Sequence, residues 1–197
     1  MPNESIEMGT ITEITDELND KIEIATQTLD RNIGFVVACD NKTSVVLATV
    51  GVLLAIILTD EGLNEILRIV KCCINEKNFC NIFYLICFGG SAVILGMGIF
   101  NLGRVLVAKT SEESIGRKED TSRIFFTGIR KNGDYKTYNQ RFRTMSKEDL
   151  LNDLIEQIYI NADIATMKYK TYNVGLKYTV VGFISFVVLL LVGIYIY

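Results

Sequence analysis

Apolar residues gather in three long runs separated by charged sequence. Residues 43–59 read TSVVLATVGVLLAIILT, residues 82–107 read IFYLICFGGSAVILGMGIFNLGRVLV, and residues 178–197 read YTVVGFISFVVLLLVGIYIY; Arg104 is their one charged side chain. A bilayer core takes about 20 helical residues, with about 17–25 tolerated. The second and third runs meet that length outright, and the first sits at its short limit, where a buried core helix is the alternative. The pattern therefore predicts three transmembrane helices, at 43–59, 82–107 and 176–197, with an outer loop at 60–81. A cleaved signal peptide is not expected, because the first run begins behind an acidic stretch rather than a short basic one.

Outside these runs the period changes to that of amphipathic helices. Ile14, Leu18, Ile22, Ala25 and Leu29 recur at threes and fours, which predicts a helical face within an acidic segment at 1–42. Ser146 and Asp149 open a capping-box pattern, followed by Leu151, Leu154, Ile155, Ile158, Ala162, Ala165 and Tyr169 on one stripe. Gly175 is the one weak point before the third span. A helix could thus run from outside the bilayer directly into it. The fold class that results is an all-α membrane protein: three spans, an amphipathic N-terminal helix, and a small helical region at 108–175 between the second and third spans.

Charge distribution orients this scheme. Basic residues flanking the segment between the second and third spans are Arg104, Lys109, Arg117, Lys118, Arg123, Lys168, Lys170 and Lys177, against Arg68, Lys71 and Lys77 between the first two spans. Eight against three places 108–175 and the N-terminus in the cytoplasm. Residues 1–40 hold nine acids against Lys21 and Arg31; anionic lipid would repel that net −7, so packing on protein is expected over lying on the membrane. Gly51 with Ala55, and Ala92 with Gly96, lie four apart, a spacing that permits close helix approach within one chain or between copies. Ser91 and Asn101 are expected to serve packing.

Composition narrows the chemistry. The 197 residues have a mean hydropathy of +0.29, a net charge of −3 and no His, which removes Ser-His-Asp hydrolysis and His-ligated zinc. The net charge points to no nucleic-acid partner. Cys39, Cys72, Cys73, Cys80 and Cys87 form no CxxC pair, so no metal site is expected and small apolar filler is the preferred role. A disulfide among Cys72, Cys73 and Cys80 is chemically open on the outer side. Gly96-Met97-Gly98 lies in a span with no strand before it and fails as a dinucleotide loop. Glu112 and Glu113 sit in a polar linker without an apolar pocket. No catalytic constellation and no cofactor are expected.

One island stands out. Between Arg123 and Lys147 lie Arg123, Arg130, Lys131, Lys136, Arg141, Arg143 and Lys147 against Asp134 alone, interleaved with Phe125, Phe126, Tyr135, Tyr138 and Phe142. Rings beside guanidinium groups suit a ligand with a flat base and a phosphate. The competing readings are that Tyr135, Tyr138, Phe142 and Met145 form the buried stripe of a short helix begun at Asp134, and that the bases face anionic lipid.

The ordered set Arg123-Ile124-Phe125-Phe126-Thr127-Gly128-Ile129, Glu148-Asp149-Leu150-Leu151-Asn152-Asp153-Leu154, Gln157-Ile158-Tyr159 and Lys168-Tyr169 resembles the transmembrane effector family of the bacterial Pycsar anti-phage system. Asp40-Asn41-Lys42-Thr43, entering the first span, resembles that family's Asp-x-Lys element. Two features depart from the pattern: Thr127 interrupts Phe-Phe-Gly, and the histidine often found after the glycine is missing. The resemblance implies an oligomeric inner-membrane executioner, not an enzyme, that binds cyclic CMP or cyclic UMP made by a partner cyclase and impairs the membrane. Arg123, Phe125, Phe126, Lys131, Arg141 and Arg143 are then the candidate ligand contacts. The alternative function is a scaffold membrane protein whose basic patch holds anionic lipid or a protein partner.

Overall fold

The computed structural model describes residues 2–76, 78–107, 122–131 and 133–197, without the side chains of 2–14, 126, 127 and 131. Its elements are α1 (Pro2–Ile57), α2 (Asp60–Glu76), α3 (Phe79–Leu106), α4 (Phe126–Lys131), α5 (Tyr135–Arg143) and α6 (Lys147–Ile196), with no strand among the described residues. Three of them, α1, α3 and α6, are long and apolar enough to cross a membrane. This is the all-α membrane architecture that the three apolar runs predict. Helix α1 passes unbroken from the acidic segment into the first run, and α6 passes through Gly175. The chain divides into two compact units: Met1–Val37 with Lys109–Met167, and Ala38–Ala108 with Lys168–Tyr197.

In the second, membrane unit, α3 runs antiparallel to the C-terminal part of α6. Buried positions on α3 are Asn81, Phe88, Ser91, Leu95, Gly98, Leu102 and Val105, a seam of alternating threes and fours that holds one face toward a partner helix. Its partners on α6 descend in order: Gly175 meets Leu102, Thr179 meets Gly98, and Gly182 meets Leu95. Tyr84 Oη donates to the Leu189 carbonyl at 2.8 Å and Tyr197 Oη to Asn81 Oδ1 at 2.6 Å. Backbones approach closely because each contact sets a glycine against a larger residue, Gly175 and Gly182 of α6 against Leu102 and Leu95 and Gly98 of α3 against Thr179, and dispersion contact is the main attraction available between helices in lipid.

The small residues singled out by spacing alone lie elsewhere. Gly51, Ala55, Ala92 and Gly96 are all exposed, and a Cβ at Gly51 or Gly96 would meet nothing within 4 Å. The α3 seam is fixed by its large residues, and Gly96 sits roughly 200° around the helix from Gly98. Packing within one chain is therefore not what these pairs do. Ser91 Oγ donates to the Phe88 carbonyl at 2.7 Å and Asn101 Nδ2 to the Met97 carbonyl at 2.8 Å, so each bonds its own helix rather than a neighbour.

The connection between the first two spans, treated in the sequence only as a loop, is largely the helix α2. It opens with Asp60 and Glu61, which favour a helix N-terminus. Ile69 and Cys73 are buried with Phe88, Phe186 and Leu190, and Ile57, Ile66 and Tyr84 pack around them. Cys39 and Cys73 are buried as expected of small filler, Cys72 and Cys87 are half-buried, and Cys80 is exposed and fills nothing; all five are free thiols.

In the first unit, α1 and α6 run parallel: Lys147 Nζ donates to Asn19 Oδ1 at 2.6 Å and Asn32 Nδ2 to the Ile158 carbonyl at 3.2 Å. Leu18, Ile22 and Leu29 are half-buried and Ala25 buried, on the predicted stripe; the side chain of Ile14 lies outside the described residues. On α6 the predicted stripe is largely enclosed: Leu154 and Ala165 are buried, Leu151, Ile158, Ala162 and Tyr169 are half-buried, and Ile155 is exposed. The buried face also takes in Gln157, Ile160 and Ile164. Apolar spacing passed over Gln157 because it is polar.

Candidate functional site

The motif residues scattered along the sequence converge into two clusters, one in each unit. The first is organised by a turn at Ser122, whose buried Oγ accepts from the backbone N–H of Phe125 at 3.0 Å. Such a hydroxyl-to-backbone bond favours turns over helix. Arg123 follows, and its hydrogen-bonding groups are engaged on several sides. Its N–H donates to Asp153 Oδ2 at 2.7 Å, its guanidinium pairs with Asp149 Oδ2 at 3.1 Å, and its carbonyl accepts from Tyr138 Oη at 3.1 Å.

Asp149 reaches Arg123 because it also closes the N-terminus of α6. Ser146 N–H donates to Asp149 Oδ2 at 3.2 Å and Asp149 N–H to Ser146 Oγ at 3.0 Å, the capping box expected from the sequence. The Ser146 bonds, followed by burial acting in the opposite sense and the Arg123 contact, leave the Asp149 carboxyl below its ordinary pKa. A depressed carboxylate contributes stability that is complete above its unfolded value, about pH 4, and is lost as pH falls through the lower folded value. Replacing Asp149 by Ala is therefore expected to loosen the start of α6 slightly at neutral pH. Limited proteolysis between residues 140 and 155 should detect a gap from wild type that is constant above about pH 4 and closes in stronger acid.

Beside this cap lies a cleft of about 160 Å³ lined by Ser122, Arg123, Asp149, Asn152, Asp153 and Glu156. Three carboxylates against one guanidinium make its field negative. Asp153 Oδ1 and Gln157 Oε1, one helical turn apart, are buried without a hydrogen-bond partner among the described residues.

Three of the island's seven cations, Lys136, Arg141 and Arg143, lie on α5. Gly133, at φ +93°, makes the turn before it, and Asp134 caps it by accepting from the Thr137 N–H at 3.1 Å and hydroxyl at 2.7 Å. The same bonds hold the Asp134 carboxyl below its ordinary pKa. No residue of α5 is buried. The buried stripe expected for Tyr135, Tyr138, Phe142 and Met145 is thus absent: Tyr135 and Phe142 are exposed, and Tyr138 and Met145 half-buried. Arg141 and Arg143 occupy the last turn of α5, where cations oppose the negative end of the helix dipole. Arg143 Nε donates to Asn139 Oδ1 at 2.9 Å.

Of the candidate contacts, then, Arg123 and half-buried Phe125 belong to the segment bound to α6, and Arg141 and Arg143 to the exposed α5, linked through Tyr138. Phe126 and Lys131 bound α4, with side chains outside the described residues.

The second cluster lies in the membrane unit. Lys168 Nζ donates to both carboxylate oxygens of Asp40, at 2.6 and 2.8 Å. The Lys168 side chain is 5% exposed and that of Asp40 34%. Lys42 Nζ stands 6.0 Å from the centre of the Tyr169 ring, within cation–π range. Asp40-x-Lys42 and Lys168-Tyr169, far apart in sequence, are therefore two halves of one arrangement. Sequence spacing alone could not pair them; an acid and a base on the apolar-facing seams of two helices was the available signal.

The ordered motifs thus contribute to two clusters, one in each unit, and comparison with known proteins bears out the resemblance they carry. The profile of the Pycsar effector protein domain matches residues 24–195. The chain belongs to the Pycsar effector family. It is 28% identical over 176 residues to the Pycsar effector protein GmPycTM of Gulbenkiania mobilis, covering 85% of this chain and 90% of that protein. No solved structure matches it. Both motif clusters fall inside the matched region, and membership makes the chain an effector of the Pycsar anti-phage defence.

Proposed function

We propose that this Pycsar effector binds a cyclic pyrimidine mononucleotide, cyclic CMP or cyclic UMP, through its first unit, and responds by impairing the bacterial inner membrane as a homo-oligomer without catalysing a reaction. In this reading the N-terminus and residues 108–175 are cytoplasmic, where the partner cyclase releases its product. The observation that carries the reading is α5: an exposed helix bearing Lys136, Arg141 and Arg143 beside Tyr135 and Phe142, in a unit to which α1 and α6, the helices that also enter the membrane unit, both contribute. Arg141 and Arg143 meet the phosphate. Phe125 and Phe126 supply ring faces, and Lys131 adds charge. Arg123, held by Asp149, contributes by exchanging that carboxylate for the ligand phosphate.

Full-length protein in sealed liposomes should release entrapped dye on titration with one of the two nucleotides and bind it in calorimetry. Charge-assisted hydrogen bonds contribute about 1.5–3 kcal/mol. Arg141→Glu and Arg143→Glu should therefore each weaken binding roughly tenfold to a hundredfold, with membrane insertion unchanged. Absence of both leakage and binding with every cyclic nucleotide would reject the reading. The scaffold alternative, anionic lipid on the same bases, predicts instead that vesicle association follows lipid charge alone and that no nucleotide saturates it.

A further inference from the structure

Helix α2 carries more apolar surface than the protein covers. At about 100° per residue, Ile66, Ile69 and Cys73 occupy an arc of roughly 60°, and Leu63, Leu67, Val70 and Ile74 occupy a second arc of similar width beside it. The first arc is the one packed in the core with Tyr84, Phe186 and Leu190. The second is mostly bare: Leu67 is 53% and Ile74 56% exposed, and Leu63 is exposed as well. Asp60, Glu61, Asn64, Arg68, Lys71 and Asn75 fill the remaining side of the helix. Arg68 and Glu65 pair at 2.6 Å on that side.

We propose that Leu63, Leu67, Val70 and Ile74 are immersed in the lipid leaflet at the Thr59 end of the spans, so that α2 is an interfacial helix as well as a connection. Lipid is the occupant for two independent reasons. Only Leu58 and Thr59 separate α2 from α1, and two residues separate it from α3. Both ends are thereby tied to the level at which membrane-crossing helices emerge. The bare arc is also continuous in chemistry with the exposed ends of those helices, where Ile56, Leu58, Phe79, Ile82 and Phe83 are all exposed. A helix with one apolar and one charged side at that level buries the apolar side about 5–10 Å into the headgroup–acyl boundary. With four acids against two bases on α2, the attraction is apolar and requires no anionic lipid.

The chain contains no Trp, so one introduced Trp reports its own surroundings in the full-length protein with every cysteine retained. Leu67→Trp and Leu63→Trp, reconstituted in phosphatidylcholine vesicles, should emit at short wavelength, be quenched by chain-brominated phosphatidylcholine and resist aqueous iodide. Asn64→Trp and Lys71→Trp should show the reverse. The pattern should persist without anionic lipid. If the Leu67 and Leu63 reporters respond to iodide, or to neither quencher because a second copy covers them, the proposal is overturned. The measurement needs no nucleotide, so it stands or falls separately from the ligand reading.

Discussion

Replacing Asp40 by Ala is expected to destabilise the membrane unit by about 3 kcal/mol, whereas replacing Lys168 by Met is expected to change stability by less than about 1 kcal/mol. The asymmetry follows from burial. Lys168 is almost fully enclosed and its ammonium is held by both Asp40 oxygens. Without Asp40 that charge is left uncompensated away from water, a loss of about 3–5 kcal/mol for buried pairs, taken here at the lower end because a third of the Asp40 side chain is in contact with solvent. Removing Lys168 instead deletes the buried charge, and Met keeps the length and apolar stem of the side chain, while Asp40 can turn toward water. In thermal unfolding of the detergent-solubilised full chain, Asp40→Ala should lower the midpoint by roughly 6–12 °C, at about 2–4 °C per kcal/mol for this size. Equal losses from both variants would show that the pair acts through register and not through charge burial. The exchanged pair Asp40→Lys with Lys168→Asp should recover only part of the loss, because the enclosed site then holds the shorter side chain.

This pair also marks where sequence reading stops. The three spans were legible because hydrocarbon demands long runs free of charge, a demand imposed residue by residue. The acidic helix, the capping box at Ser146 and the cap at Asp134 were legible for the same reason: each depends on residues within a turn or two of one another. What escaped is set by the angle at which helices face each other. Gln157 and Lys168 are polar, so apolar spacing finds Leu154 and Ala165 on the buried face of α6 but passes over these two and takes in the exposed Ile155 instead. Tyr135 and Phe142 have the spacing of a core stripe, yet among the described residues both are exposed, and it is Tyr138 of α5 that reaches the Arg123 segment. The wide apolar side of α2 was hidden within a stretch too polar on average to read as a span. Arg123 was legible as a cation but not as one already held by Asp149 and Asp153, since those partners lie 26 and 30 residues away.

The glycines separate into two classes with opposite expected outcomes. A Cβ placed on Gly182 would stand 2.5 Å from the backbone nitrogen of Leu95, and one on Gly98 would strike the backbone of Thr179. Backbone cannot swing aside as a side-chain tip can, so α3 and α6 must separate along the seam. Overpacking costs typically 1–3 kcal/mol when side chains can absorb it; here Gly182→Ala and Gly98→Ala are each expected to reach at least the upper end, and together to abolish the folded membrane unit. Gly51→Ala and Gly96→Ala meet nothing within 4 Å and should leave the isolated chain folded, with a gain of up to about 1 kcal/mol from helix propensity. Thermal unfolding in detergent at high dilution distinguishes the two classes. The second class then carries information about assembly. If copies of this effector approach through the exposed faces at Gly51 and Ala55 or at Ala92 and Gly96, Gly51→Leu or Gly96→Leu should suppress crosslinking between chains and nucleotide-triggered leakage while the unfolding midpoint holds. Leakage retained in both variants would place the contact between copies on some other face of the spans.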